Sequence, residues 1–160
     1  MTNKSQTILI TGGTGFAGSH LVEALIEQGY SNIHLTSYRD RPGFLKDLIG
    51  DDHIHALDLT DHQATIELFK KLKPQQIYHL ASLANVGNSF KQQQFILETH
   101  LNLQLNVLNA MKDYCPQARL LSIGSALEYQ ISNQPLAETA PIGPNDPYAL
   151  SKMIQDYLSY

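Results

Sequence analysis

Short apolar segments alternate with helical stretches along almost the whole chain, and few folds are compatible with that alternation. Thr7–Thr11 (TILIT), Ile33–Ser37, His53–Asp58, Gln76–Ala81 and Arg119–Gly124 read as strands. Between them Ser19–Gln28, Pro42–Ile49, His62–Leu72 and Gln93–Tyr114 read as helices, and Pro147 opens a last one. The punctuation agrees. Gly29 follows a helix as a left-handed cap, Gly50 closes another, Asp61 stands at an N-cap, and Pro42 occupies a first turn. Strands joined through helices pair in parallel, so the expected class is α/β, with about five strands in a doubly wound, three-layer sheet.

Thr11–Gly18 reads TGGTGFAG. It carries G-x-x-G-x-x-G through Gly12, Gly15 and Gly18, and G-x-G-x-x-G through Gly13, Gly15 and Gly18. Such a turn, placed between a buried strand and a helix, brings bare backbone and the positive end of a helix dipole to a pyrophosphate. The expected fold is therefore of Rossmann type, and the expected ligand a dinucleotide. About 20 residues on, an acid would hold a ribose 2′-hydroxyl. Here the second strand ends in Thr36 and Ser37, and Arg39 and Arg41 follow as candidate partners of a 2′-phosphate. NADP is thus expected over NAD, although Asp40 in the same stretch would favour NAD. Asp58 in DLTD is placed to accept from an adenine amino group with Leu59 beside the ring, or simply to build a turn.

Tyr148 and Lys152 in DPYALSK are four apart, on one helix face. A neighbouring ammonium makes a phenol easier to ionise, which suits Tyr148 to general acid–base work and leaves Lys152 donors for ribose hydroxyls. Ser125, just past the fifth strand, can share the hydrogen bond to a substrate oxygen.

TGGTGFAGSHL, DLTD, IYHLAS, IGSALEY and PYALSK together resemble the extended short-chain dehydrogenase/reductases, in the branch acting on nucleotide-linked sugars. IYHLASLANVGNSF is similar to GDP-mannose 4,6-dehydratases, and RLLSIGSALEY to GDP-4-keto-6-deoxymannose reductases. The resemblance implies Ser125, Tyr148 and Lys152 as the catalytic set. It implies Gly12, Gly15 and Gly18 at the pyrophosphate, Asp58 and Leu59 at the adenine, Ala81 and Ser82 along the cofactor groove, and Ser122 beneath the nicotinamide end. Thr14, Phe16, Ala17, Ser37, Arg39 and Leu80, with Tyr148 and Lys152 themselves, complete the expected cofactor-binding set. The implied activity is NADP-dependent hydride transfer to or from a sugar carbon, most like the reductases. A 4-epimerase, a 4,6-dehydratase or a non-catalytic dinucleotide-binding module are the alternatives.

Several positions depart from the pattern. Leu127 stands where the dehydratases carry glutamate, and Glu128, one step along a strand-like segment, is expected to face elsewhere. Both argue against dehydration. His100 replaces a common asparagine, Leu103-Gln104 a Gly-Thr pair, and Gln130 a glycine. The family's sugar pocket is built mostly by a second half, so residues 1–160 are expected to be the nucleotide-binding front part, without turnover by themselves. The helix from Phe95 to Met111 has two apolar flanks, one through Leu97, Leu101, Leu105 and Leu108 and one through Ile96, Leu103, Val107 and Met111. The resemblance implies a homodimer formed by this helix and the terminal one.

Composition narrows the rest. With 11 basic against 15 acidic residues, a charge of −4 and a pI near 5.9, the chain has no basic field for nucleic acid. A lone Cys115 excludes an internal disulfide framework and a thiolate zinc site. No apolar run reaches the roughly 18 residues that cross a bilayer, and MTNKSQT is no signal peptide, so no membrane role and a cytoplasmic setting are expected. His53 and His55 share a strand face but lack a third ligand and read as solvent-facing; His79 reads as a bonded core histidine.

Overall fold

The structure, a computed structural model, describes residues 3–38, 43–83 and 90–160. Two compact units are present: Met1–Ala81 with Asn106–Leu121, and Ser82–Leu105 with Ser122–Tyr160.

The first unit is built on a parallel sheet in the order β3-β2-β1-β4-β5, with β1 Ile8–Thr11, β2 Ile33–Ser37, β3 Ile54–Ala56, β4 Gln76–His79 and β5 Arg119–Ser122. Every residue of central β1 is buried, as a strand covered on both faces must be. Alternation sends Ile8 and Ile10 to one face, where they pack with Val22 and Leu25 of helix α1 (Phe16–Glu27) and with Ile33 and Leu35. Chain order reverses direction at β1, with β2 on one side and β4 on the other. That makes the carboxyl end of β1 the switch point at which open α/β sheets bind ligands.

The remaining helices are α2 (Leu45–Ile49), α3 (His62–Leu72), α4 (Gln93–Tyr114) and α5 (Pro147–Leu158). Asp61 caps α3 by accepting from Ala64 N–H, as its position in the sequence indicates. Strands are shorter than the apolar runs suggest. His53 belongs to a 3₁₀ turn preceding β3 and bonds through Nδ1 to the Ile33 carbonyl, while Asp58 folds into a turn after it. The first helix begins at Phe16 rather than Ser19, because the glycine turn itself supplies the N-cap at Gly15.

In the second unit, α4 contributes Gln93–Leu105 and α5 packs its Ala149, Ser151, Lys152 and Gln155 inward. Ile96 and Leu103 are buried, and so are the polar His100 and Gln104 on the same stripe. A polar seam satisfies them. Gln104 donates to Ser159 Oγ at 2.9 Å, and Gln155 donates to the His100 carbonyl at 3.4 Å. Gln130, at a position where the resemblance favours glycine, needs no left-handed backbone: Lys73 is the one non-glycine with positive φ among the described residues. Gln130 N–H donates to the Pro141 carbonyl instead and closes a short antiparallel bridge next to Tyr129 and Ile142.

Candidate active site

The glycine turn of the first unit is shaped by backbone approach. Gly12 has φ +67°, and a Cβ there would lie 2.9 Å from the Ala81 Cα. A Cβ on Gly18 would lie 2.6 Å from both the Gly12 carbonyl oxygen and the Gly13 Cα, so the helix start can sit on the turn only without a side chain. Gly13, outside the first spacing pattern, packs against Leu35. Thr36 holds the turn from β2, its Oγ1 accepting from Gly12 N–H at 3.2 Å and its carbonyl from Gly13 N–H at 3.1 Å. The first helical bond of α1 runs from Ser19 N–H to the Gly15 carbonyl. The amides of Phe16, Ala17 and Gly18 come before it, at the positive end of the helix, and Gly15, Phe16 and Ala17 are exposed. This is a cradle with the donors and the open backbone that a diphosphate needs.

Around it, Thr14 Oγ1 and Ser37 Oγ are 3.1 Å apart, and Ser37 is buried. Leu80 N–H donates to the Thr11 carbonyl and Ala81 N–H to Thr11 Oγ1, which bring these β4 extensions beside the turn. Thr11 Oγ1 also meets His79 Nδ1 at 2.7 Å, so His79 is the bonded core histidine expected. Asp58 Oδ1 accepts from both N–H and Oγ1 of Thr60, which is turn chemistry, and Leu59 is buried. Arg39, Asp40 and Arg41 lie outside the described residues.

Ser125, Tyr148, Lys152, Ser82 and Ser122 all belong to the second unit. Asp146 caps α5 by accepting from Ala149 N–H at 2.8 Å, with Pro147 in the first turn. This starts the helix so that Tyr148 and Lys152 fall one turn apart. Ser125 caps a 3₁₀ turn, Ala126–Glu128, its Oγ accepting from Leu127 N–H at 3.2 Å. Ser122 Oγ donates to Gln104 at 3.4 Å.

Two residues of this cluster differ from the sequence reading, although Ser125-x-x-Glu128 has the spacing of a capping box. Glu128 does not continue a strand away from the site. The 3₁₀ turn folds it back, buries it and lets its carboxylate accept from Ser125 N–H, while Leu127 is left 40% exposed. His100 is fully buried. Its Nε2 accepts from Leu83 N–H at 2.9 Å and lies 3.2 Å from Ser82 Oγ, and its ring meets that of Tyr148 edge-on at 5.7 Å. Residues 84–89 beyond Leu83 are not described.

The electrostatics also differ from expectation. Burial pushes the Tyr148 phenol above its usual range, Asp146 and Glu128 push it further, and Ser82 opposes them through a hydrogen bond. The ammonium one turn away does not dominate, because two carboxylates and lost hydration favour the neutral phenol. Burial lowers Lys152 and Glu128 opposes it. Burial and then Lys152 lower His100 to about 4.

Elsewhere His53 and His55 are half-buried rather than solvent-facing. His34 stacks on His53 at 4.3 Å and its Nδ1 lies 3.1 Å from His55 Nε2. No group of three metal-ligating side chains arises among the described residues, and no described helix is long and apolar enough to cross a membrane. Cys115 is buried, and burial raises its thiol to about 11.

A family model described as NAD dependent epimerase/dehydratase family matches residues 8–159. A UDP-glucose 4-epimerase of Oryza sativa is 27% identical over 157 residues, covering 93% of this chain and 38% of the relative. A GDP-mannose 4,6-dehydratase of Yersinia enterocolitica is 31% identical, covering 91% of this chain and 42% of the relative. The UDP-glucose 4-epimerase of Thermus thermophilus, solved in complex with NAD, superposes with a TM-score of 0.82 at 29% identity, covering 96% of this chain and 50% of that one. The chain thus spans half or less of the length of these proteins. With the glycine turn, the sheet order and the match over residues 8–159 in agreement, the chain belongs to the NAD-dependent epimerase/dehydratase family.

Proposed function

We propose that this chain binds a nicotinamide dinucleotide and serves hydride transfer at a carbon of a nucleotide-linked sugar. The observation that carries the reading is the start of α5. It puts Tyr148 and Lys152 one turn apart, with Ser82 and His100 against Tyr148 and Ser125 in the same unit. A plain dinucleotide holder needs the glycine cradle but not these groups.

The open N-terminal turn of α1 and the bare backbone of Gly12 and Gly15 fit a diphosphate. The cofactor, when bound, supplies or accepts the hydride. The rest falls to this chain. Tyr148, raised by burial, Asp146 and Glu128, holds the proton that a keto oxygen takes on reduction. Ser125 donates to the same oxygen and stabilises its developing charge. Lys152 orients ribose hydroxyls. The hydroxyl-lined end of β2, Thr36 and Ser37, with Arg39 in the sequence, favours NADP.

A keto-sugar reductase is the reading favoured here, because RLLSIGSALEY is similar to the segment of GDP-4-keto-6-deoxymannose reductases. A 4-epimerase would use the same groups in both directions, and the 4-epimerases among the relatives support it as the second reading. Dehydration is less supported, since Leu127 carries no proton and Glu128 is engaged by Ser125. The exposed Leu101 on α4 and Tyr157 on α5 support a homodimer, which sedimentation would test.

Titration of this chain with NADP, NAD and their reduced forms, and assays with 4-keto-6-deoxy and 4-hydroxy nucleotide sugars on a protein that also carries a sugar-binding half, test this reading. Tighter binding of NADP and loss of turnover in Tyr148→Phe are expected. No dinucleotide binding at all would refute it.

A further inference from the structure

Glu128 is 5% exposed, an acid that the roles above leave unused. Its carboxylate and the Ser125 hydroxyl cap the same 3₁₀ turn reciprocally: Glu128 accepts from Ser125 N–H, and Ser125 Oγ accepts from Leu127 N–H. The chain is closely fitted around it, since a Cβ on Gly124 would lie 3.2 Å from Glu128 Oε1. From α5, Lys152 and Asp156 act on this carboxylate, and Tyr148 feels its charge. We propose that Glu128 is a positioning residue, whose carboxylate fixes the backbone presenting Ser125 and places one negative charge beside Tyr148 and Lys152.

The proposal rests on Tyr148 as the proton donor and gives that phenol its setting. A negative charge nearby disfavours phenolate and favours ammonium, so one buried carboxylate acts to raise Tyr148 and Lys152 together. Asp146 acts on Tyr148 in the same sense. Burial and then Asp156 oppose ionisation of Glu128, while Ser125 N–H and then Lys152 favour it. His100, on α4, is held neutral beside Lys152 and adds no charge at neutral pH.

Glu128→Gln separates the two roles, because its amide oxygen still accepts from Ser125 N–H while the charge is gone. In the chain labelled with ring-¹³C tyrosine, Tyr148 is identified by comparison with Tyr148→Phe and titrated by NMR. The Gln variant is expected to keep the parent's fold and to raise the Tyr148 ionisation constant roughly tenfold, one pK unit. Glu128→Ala is expected to show the same change and to lose stability as well. An unaltered Tyr148 midpoint in a folded Gln variant overturns the proposal. Should that variant not fold, carboxyl-¹³C titration of the parent decides: Glu128 ionised at neutral pH supports the charge, and Glu128 protonated there overturns it. Neither readout needs cofactor or substrate, so absence of dinucleotide binding would refute the functional reading and leave this result intact.

Discussion

His100 Nδ1 and the hydroxyl of Ser151 are 2.6 Å apart, and Nδ1 carries the histidine's proton. Leu83 N–H can only donate, so Nε2 must present its lone pair. Nδ1 therefore holds the hydrogen and donates it to Ser151 Oγ, which in turn donates to the Tyr148 carbonyl at 2.6 Å. The ring joins the segment at Ser82 and Leu83 to the first turn of α5.

The expected consequence is a neutral, Nδ1-protonated His100 in long-range ¹⁵N–¹H spectra at neutral pH. His100→Phe leaves Leu83 N–H and Ser151 without their partners and should cost about 2–4 kcal/mol in denaturant unfolding. His100→Asn, which keeps a donor and an acceptor, should recover part of that. An Nε2-protonated ring would contradict the assignment.

Acid should destabilise the protein in a defined window. His34 and His100 are both lowered to about 4 from 6.5, in each case first by burial, and His55 is lowered as well. The folded state then binds fewer protons than the unfolded chain between those values. Their stabilisation is present above 6.5 and disappears as the pH falls toward 4. Glu128, whose carboxyl is raised, acts in the opposite sense. Urea unfolding across this range should show falling stability on acidification, with a shallower slope in His34→Gln. Stability that holds constant across it would count against the buried neutral imidazoles.

Glycine substitutions should separate into two kinds. Gly29 has φ +84° and open space where a Cβ would stand, with nothing within 4 Å, so Gly29→Ala should cost about 1–2 kcal/mol through backbone strain alone. Gly18→Ala sets a methyl group against the backbone of Gly12 and Gly13, and Gly12→Ala adds a clash with Ala81 to its left-handed strain. Both should be less stable than Gly29→Ala and should lose dinucleotide binding, which Gly29→Ala keeps. Unfolding curves and cofactor titration on the three variants check this.

Asp146→Asn preserves the cap of α5, because asparagine also accepts from Ala149 N–H, but removes a charge that raises Tyr148. Stability should change by less than about 1 kcal/mol, while the Tyr148 midpoint in the tyrosine titration should fall. Asp146→Ala should lose about 1 kcal/mol by loss of the cap. An unmoved Tyr148 midpoint in Asp146→Asn would show that the charge does not reach the phenol.

Much of the fold is legible from local patterns. The elements His62–Leu72, Gln93–Tyr114 and Ile33–Ser37 occur with the boundaries that periodicity and capping indicate. The apolar runs near His53 and Gly124 overstate their strands, because apolar content alone does not show where a chain leaves the ladder for a turn. Histidine at position 100 is visible in the sequence only as a departure from a familial asparagine; its partners Leu83 and Ser151 lie 17 and 51 residues away.

What the sequence determined by itself is the repeating strand–helix order, the turn that only glycines can form and the Tyr148–Lys152 spacing. Each depends on backbone sterics and periodicity within a few residues. Tertiary structure alone decided that Glu128 is buried, that His100 is a neutral hub and that the Tyr148 phenol is raised rather than lowered. Burial and through-space charge set those properties, and neither exists until distant segments have packed together.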